Sequence, residues 1–253
     1  MMANCNVDPK PEGKDWIIPD WPTPRNVRAL ITTRKGGVSV GPYEALNVGE
    51  LVGDNPDIVA ENRARIRLHL PGEPVWLRQV HGNKVIVADM AAGVPEADAS
   101  VARKKGVALV VQTADCLPVL LCDVDGAVVG AAHAGWRGLS SGVIENTVQA
   151  MGVTGSRLLA FLGPAIGPDN FEVGSEVREI FVAQDGGAAT HFRKKENGKW
   201  LADLYGLARR RLMALGVTRV FGGDFCTVAD VDRFFSYRRD GITGRMATLI
   251  WLE

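Results

Sequence analysis

The chain has 253 residues, with 29 Lys plus Arg against 29 Asp plus Glu, so it lacks the basic excess that marks binding to nucleic acid or an anionic membrane. Hydrophobic residues at 46% and charged residues at 23% describe a globular soluble protein rather than a disordered or membrane-spanning one. Even "GVALVVQTADCLPVLLCDVDG" is broken by Asp115 and Pro118 before it reaches the roughly 18 residues a membrane helix needs. The first residues, "MMANCNVDPKPEGKDW", contain no apolar h-region, and a cytoplasmic location is expected. The four cysteines (5, 116, 122 and 226) are too scattered for a disulfide framework, and none form a C-x-x-C pair.

In chain order, residues 1–24 carry five prolines and little pattern, which predicts a loosely attached arm ahead of a single domain over 25–253. "VRALITTRKGG" reads as a strand entering a glycine turn. "NPDIVAENRARIRLHL", apolar at 58, 59, 66 and 70, predicts a surface helix begun near Asp57 and closed by Pro71-Gly72. "PVWLRQVHGNKVIVAD" predicts a hairpin around Gly82-Asn83. The centre, "GVALVVQTA", "LPVLLCDV" and "GAVVGAAHA", predicts three short strands, the second covered on both faces because both of its parities are apolar. "SSGVIENTVQAMG", "GSEVREIFVAQDG" and "ADLYGLARRRLMALG" predict helices ended by glycine, and "RLLAFLGPAIGP", "TRVFGG" and "MATLIWLE" predict further strands. Mixed elements without regular βαβ alternation favour an α+β fold over a Rossmann sheet.

The four histidines divide into two groups. His69 and His191 sit among polar residues and read as solvated. His81 lies at the "VHGN" turn and His133 where a strand ends in "HAGWRG", while Cys116 follows a strand and precedes Pro118. One thiolate and two imidazoles are a chemically sensible zinc set, with the fourth tetrahedral position left for water or substrate. The separations, 35 residues from His81 to Cys116 and 17 from Cys116 to His133, carry no motif specificity. They are equally compatible with Cys116 as a core thiol and each histidine as a satisfied turn residue.

"TRKGGVSVGPYEALNVGELVGDNP", "RQVHGNKV", "ADASVARKKGVALVVQTADCLPVLLCD", "GAAHAGWRG", "LGPAIGP", "FEVG" and "FFSYRRDGITGRMATLIW" follow one another in the order of a known family. From about residue 28 onward the chain resembles the bacterial laccase-domain proteins, also called the polyphenol oxidase or peptidoglycan-editing-factor family and linked to purine nucleoside phosphorylase activity. The resemblance implies a single α+β domain with mixed sheets layered between helices, an α/β/β/α sandwich. It also implies a zinc ion held by His81, Cys116 and His133, with purine nucleoside and phosphate as partners: adenosine, inosine or methylthioadenosine as substrate, and a side deamination of adenosine.

Multicopper oxidation of phenols, suggested by the older name, needs many imidazoles, and four histidines without one H-x-H pair cannot supply them. A single Cu2+ in the zinc site in vitro is compatible with the Irving–Williams order. Phosphorolysis needs an anion site and a proton handler. Arg34 in "RKGG" and Arg137 in "GWRG" are the anion candidates, Asp115 the proton handler and Asn47 a polar contact to substrate or to a water on the metal. In a regular strand Asp115 and Cys116 would face opposite ways, so their joint use requires that the strand has ended or bulged there. Each residue has a structural alternative: Asp115 as a turn cap, Arg137 in an ion pair, Trp136 in packing, and Arg238, Arg239 and Asp240 as ties for the last strand. The deaminase signature H-x-E with P-C-x-x-C is missing. Two other classes stay open: a metal-free hydrolase of a peptidoglycan precursor with Cys116 as nucleophile and His133 as base, and a non-enzymatic regulator whose zinc is closed by a fourth ligand such as Cys226. The sequence does not specify an oligomeric state.

Overall fold

The computed structural model describes residues 15–253. In chain order its elements are β1 (Val27–Ile31), α1 (Pro56–Arg67), β2 (Val85–Val87), β3 (Ala99–Ala102), β4 (Leu109–Thr113), β5 (Leu117–Asp123), β6 (Val129–Ala134), α2 (Trp136–Ser140) and α3 (Val143–Met151). There follow β7 (Leu158–Leu162), β8 (Glu172–Val173), α4 (Ser175–Gln184), β9 (Phe192–Lys194), β10 (Trp200–Ala202), α5 (Leu204–Ala214), β11 (Arg219–Gly222), α6 (Tyr237–Asp240) and β12 (Met246–Leu252). No helix among the described residues is long and apolar enough to cross a membrane.

The strands form a six-stranded mixed sheet, β11-β7-β5-β6-β3-β2, and two three-stranded sheets, β1-β12-β4 and β8-β10-β9. Side-chain alternation on β5 explains the layering. Leu117, Val119 and Leu121 pack with Val148 of α3, Phe181 of α4 and Leu212 of α5. Leu120 and Cys122 point the other way, against Leu109, Val111 and Ile250 of the β1-β12-β4 sheet. That second sheet covers its own outer face with Ile66 of α1, through Leu30, Val110 and Leu249. The order is therefore helix, sheet, sheet, helices, an α/β/β/α sandwich in which the six-stranded sheet is covered on both faces. The apolar continuity of β5 follows from this double coverage.

Helix α1 starts where its sequence dictates: the Asn55 side chain accepts from Asp57 N at 2.9 Å and Pro56 occupies the first turn. Its buried Asn62 reaches out of the helix, accepting from Val38 N at 2.9 Å and donating to Asn47 O at 2.9 Å, which fixes the loop before it.

Two local expectations are corrected. Residues 75–87 form no hairpin: Val75 and Arg78 make only isolated bridges, with Leu109 and Glu96, and β2 pairs in parallel with β3. "HAGWRG" is also more than a turn, because α2 begins at Trp136. Of the expected arm, residues 1–14 lie outside the described residues, whereas Trp16 and Trp21 are buried in the core.

Candidate metal centre

Strands β5 and β6 are antiparallel with Leu117 opposite Ala134 and Pro118 opposite His133, so the start of one and the end of the other meet at a single sheet edge. Between β4 and β5 the chain bends through Asp115 at φ +88°, leaving one sheet and entering the other. This bend resolves the parity problem, since Asp115 and Cys116 both line the same cavity. Gly135 provides room for the sulfur: a Cβ there would stand 2.7 Å from the Cys116 Sγ. His81 arrives on the 80–82 loop with φ +61°.

The ligand atoms of His81, Cys116 and His133 lie within 4.8 Å of one another. Behind them is a residue that local sequence patterns did not reveal. Asp98, fully buried at the entrance to β3, accepts from His81 N at 2.9 Å, Gly82 N at 2.7 Å and Val80 N at 3.2 Å. The same carboxylate lies 2.8 Å from His133 Nδ1, so Nδ1–H donates to it and Nε2 is left for the cluster. One side chain thus aims one imidazole and holds the loop that carries the other.

Charge reinforces the arrangement. Burial alone would push the Cys116 thiol up, but His133 and His81 outweigh it and bring the group below its ordinary range. Burial likewise works against a charged His133, and the Cys116 sulfur together with Asp98 overcome it, raising the imidazole. Burial disfavours the Asp98 charge too, yet the hydrogen bonds from His133 and the loop amides leave it below the usual carboxylate range. A thiolate-biased sulfur, two imidazoles and a carboxylate behind one of them fit a divalent metal. Cys226 does not close the group, for its Sγ accepts from Gly167 N and Asn170 Nδ2, each at 3.2 Å.

The triad opens on a cavity of about 820 Å³. Asp115 lines it with a carboxylate already engaged: Oδ1 accepts from Thr227 Oγ1 at 2.5 Å and Oδ2 from Arg238 N at 2.6 Å. Arg137 lines it too, exposed and stacked 4.6 Å over Trp136. Arg34 and Asn47 are not part of the wall. Arg34 donates to Glu44 O and Val231 O and lies 4.9 Å over Phe235; Asn47 is fully buried, its amide bonded to backbone groups of Gly49 and Arg245 and to Asp54 Oδ2. Arg239 ties down Thr227 O and Phe234 O and pairs with Asp240, as a structural strut does. A second wall residue passed over in the motif "ITGRMATLIW" is Arg245, whose only sequence signal is a basic residue at the mouth of an apolar strand.

Fold and site together define an α/β/β/α domain whose strand ends carry a one-cysteine, two-histidine group that could hold a metal. The chain belongs to the family described as multi-copper polyphenol oxidoreductase laccase, whose model matches residues 28–253. It is 54% identical to a purine nucleoside phosphorylase of Pseudomonas aeruginosa, covering 94% of this chain and 98% of that one. It is 52% identical to the purine nucleoside phosphorylase YfiH of Escherichia coli, over 93% and 98% respectively. Among solved structures, a Neisseria meningitidis protein superposes with a TM-score of 0.92 at 53% identity, covering 95% of this chain and all of that one. YlmD from Geobacillus stearothermophilus gives 0.89 at 30% identity, over 96% and 98%.

Proposed function

We propose that this chain is a zinc-dependent purine nucleoside phosphorylase of the cytoplasm, acting on adenosine, inosine or methylthioadenosine, with adenosine deamination as a side reaction. The observation that carries the reading is a His81–Cys116–His133 group opening on a cavity with cationic walls, in a chain about half identical to proteins named for this activity. Zinc is the ion that a thiolate and two imidazoles suit, and Cu2+ would also bind them in vitro. When bound, the ion supplies a Lewis-acid charge at the cavity floor.

In phosphorolysis a phosphate oxygen forms a bond to C1′ while the bond from C1′ to the purine breaks, its electron pair going to the base, which takes up a proton. Arg137 is exposed at the cavity and free to pair with an anion. Two carboxylates line the wall; Glu50 pairs with Arg63, and Asp115 is the group assigned to proton handling. Its two short hydrogen bonds hold it in place against the 227–238 segment, the orientation a proton-transfer group needs. Asp115→Asn is expected to lower kcat by about 10²-fold or more, with zinc content unchanged.

Incubating zinc-loaded protein with inosine, with and without phosphate, tests the reading. Hypoxanthine that appears only with phosphate supports phosphorolysis; hypoxanthine at equal rates in both overturns it in favour of hydrolysis. The Cys116–His133 charge pairing also suits a nucleophile and its base on a peptidoglycan precursor. Stoichiometric zinc in protein purified without added metal, with Cys116 protected from iodoacetamide, would exclude that second reading.

A further inference from the structure

Five arginines line the cavity, and they differ in what neutralises them. Arg63 pairs with Glu50 and stacks 3.8 Å over Trp76. Arg78 pairs with Glu96, so neither has charge to spare. Arg238 and Arg137 are exposed at the rim, the first donating to Glu172 O. Arg245 alone is half-buried without a carboxylate in ion-pair range among the described residues; its Nη1 donates to the carbonyls of Thr243 and Gly244, each at 3.0 Å. Burial pulls its guanidinium below the ordinary arginine range, against the opposing pull of Cys116 and Asp115. A cation held in this way is costly unless an anion arrives to share the site.

The backbone around it is built to keep it there. Asn47 Oδ1 accepts from Arg245 N and from Gly49 N, at 2.9 and 2.8 Å, while its Nδ2 donates to Asp54 Oδ2 at 2.9 Å. Gly49 lies directly under the arginine stem: a Cβ there would stand 2.8 Å from Arg245 Cγ. Gly244 lies as tightly on Asn47, with 2.9 Å between its hypothetical Cβ and the Asn47 Cβ. Asn62 in turn fixes Asn47 from α1. A buried hydrogen-bonded chain therefore runs from the helix to the backbone amide of the residue whose guanidinium stands at the cavity wall.

We propose that Arg245 anchors an oxyanion subsite for the inorganic phosphate co-substrate, and that Asn47, which does not itself face the cavity, is the positioning residue that sets it. The substrate class rests on the phosphorylase reading; the anion subsite is testable without it. Phosphate offers two oxygens to the planar fork of an arginine, which a lysine cannot match bidentately.

The test is calorimetric titration of inorganic phosphate into zinc-loaded wild type, Arg245→Gln, Arg245→Lys and Gly49→Ala, alongside steady-state kinetics with inosine. Zinc content and Tm serve as controls for folding. Arg245→Gln is expected to weaken phosphate binding about tenfold or more, with Arg245→Lys between it and wild type. Gly49→Ala, which displaces the arginine stem without altering any charge, is expected to raise the phosphate KM severalfold while the inosine KM stays within about twofold. Asn47→Ala is expected to give the same split. Phosphate affinity unchanged in both Arg245 variants, or no phosphate binding by wild type, overturns the subsite. Phosphate binding that depends on Arg245 without phosphate-dependent hypoxanthine would keep the subsite and overturn the phosphorylase reading. Phosphorolysis indifferent to Arg245 would do the reverse.

Discussion

At the scale of single residues the site depends on Asp98 as much as on its three metal-binding candidates. Its carboxylate collects three successive amides and one imidazole N–H, so its loss releases both histidines together. Asp98→Asn is expected to weaken zinc binding about 10–100-fold, read by competition with a chromophoric chelator. The pH sign follows from its lowered value: the stabilisation is complete above the ordinary carboxylate range and is lost as pH falls through the depressed folded value. The Tm of metal-free wild type should accordingly fall more steeply below about pH 4 than that of Asp98→Asn. The triad was a candidate set in the sequence because histidine is scarce and His133 and Cys116 sit at strand ends, but spacing alone left it open and the family resemblance singled it out. Asp98 could not, because an aspartate before a strand is ordinary and its partners become neighbours only through the fold. Arg245 was hidden for a similar reason: its lack of a counter-charge is a property of the cavity and not of the motif around it.

Among elements, the long apolar runs were legible and the short ones were not. β4, β5 and β6 declared themselves by β-branched continuity, and α1 by its apolar spacing after a start near Asp57. The two- and three-residue strands of the β8-β10-β9 sheet are too short to show a period. The Gly82-Asn83 signal misled because Asp98 captures the amides that a hairpin ladder would have used. Helix α2 supplies the clearest test of element packing. Gly138 lies within it, where alanine would ordinarily stabilise a helix by about 0.8–1.0 kcal/mol. Here a Cβ would come within 2.8 Å of Gly82 O and 3.2 Å of His133 O, both belonging to the site. The clash outweighs the propensity, and Gly138→Ala is expected to lower both Tm and zinc affinity, measured by calorimetry and metal titration.

For the whole molecule, the core and the metal centre are separable. Leu120 is fully buried between the two sheets, away from the triad, and Leu120→Ala is expected to cost about 2–5 kcal/mol in urea unfolding while zinc stoichiometry is retained in the folded fraction. Conversely, chelation is expected to leave the fold intact, since the apolar clusters that hold the layers together include none of His81, Cys116 and His133. Zinc at about a hundred times its Kd should raise Tm by about 5–10 °C, a shift abolished in Cys116→Ala. The layered architecture was foreseen from mixed elements and family resemblance, whereas the order of strands in each sheet emerges only from the paired registers.

The chain leaves the β1-β12-β4 sheet at Thr113 and enters the six-stranded sheet at Leu117, with Cys116 on the crossing. The sulfur is thereby harnessed to both slabs, and any sliding of one across the other would tug it away from the imidazoles. A cysteine-to-metal charge-transfer band, with cobalt as reporter, would serve as an optical gauge of interlayer slip.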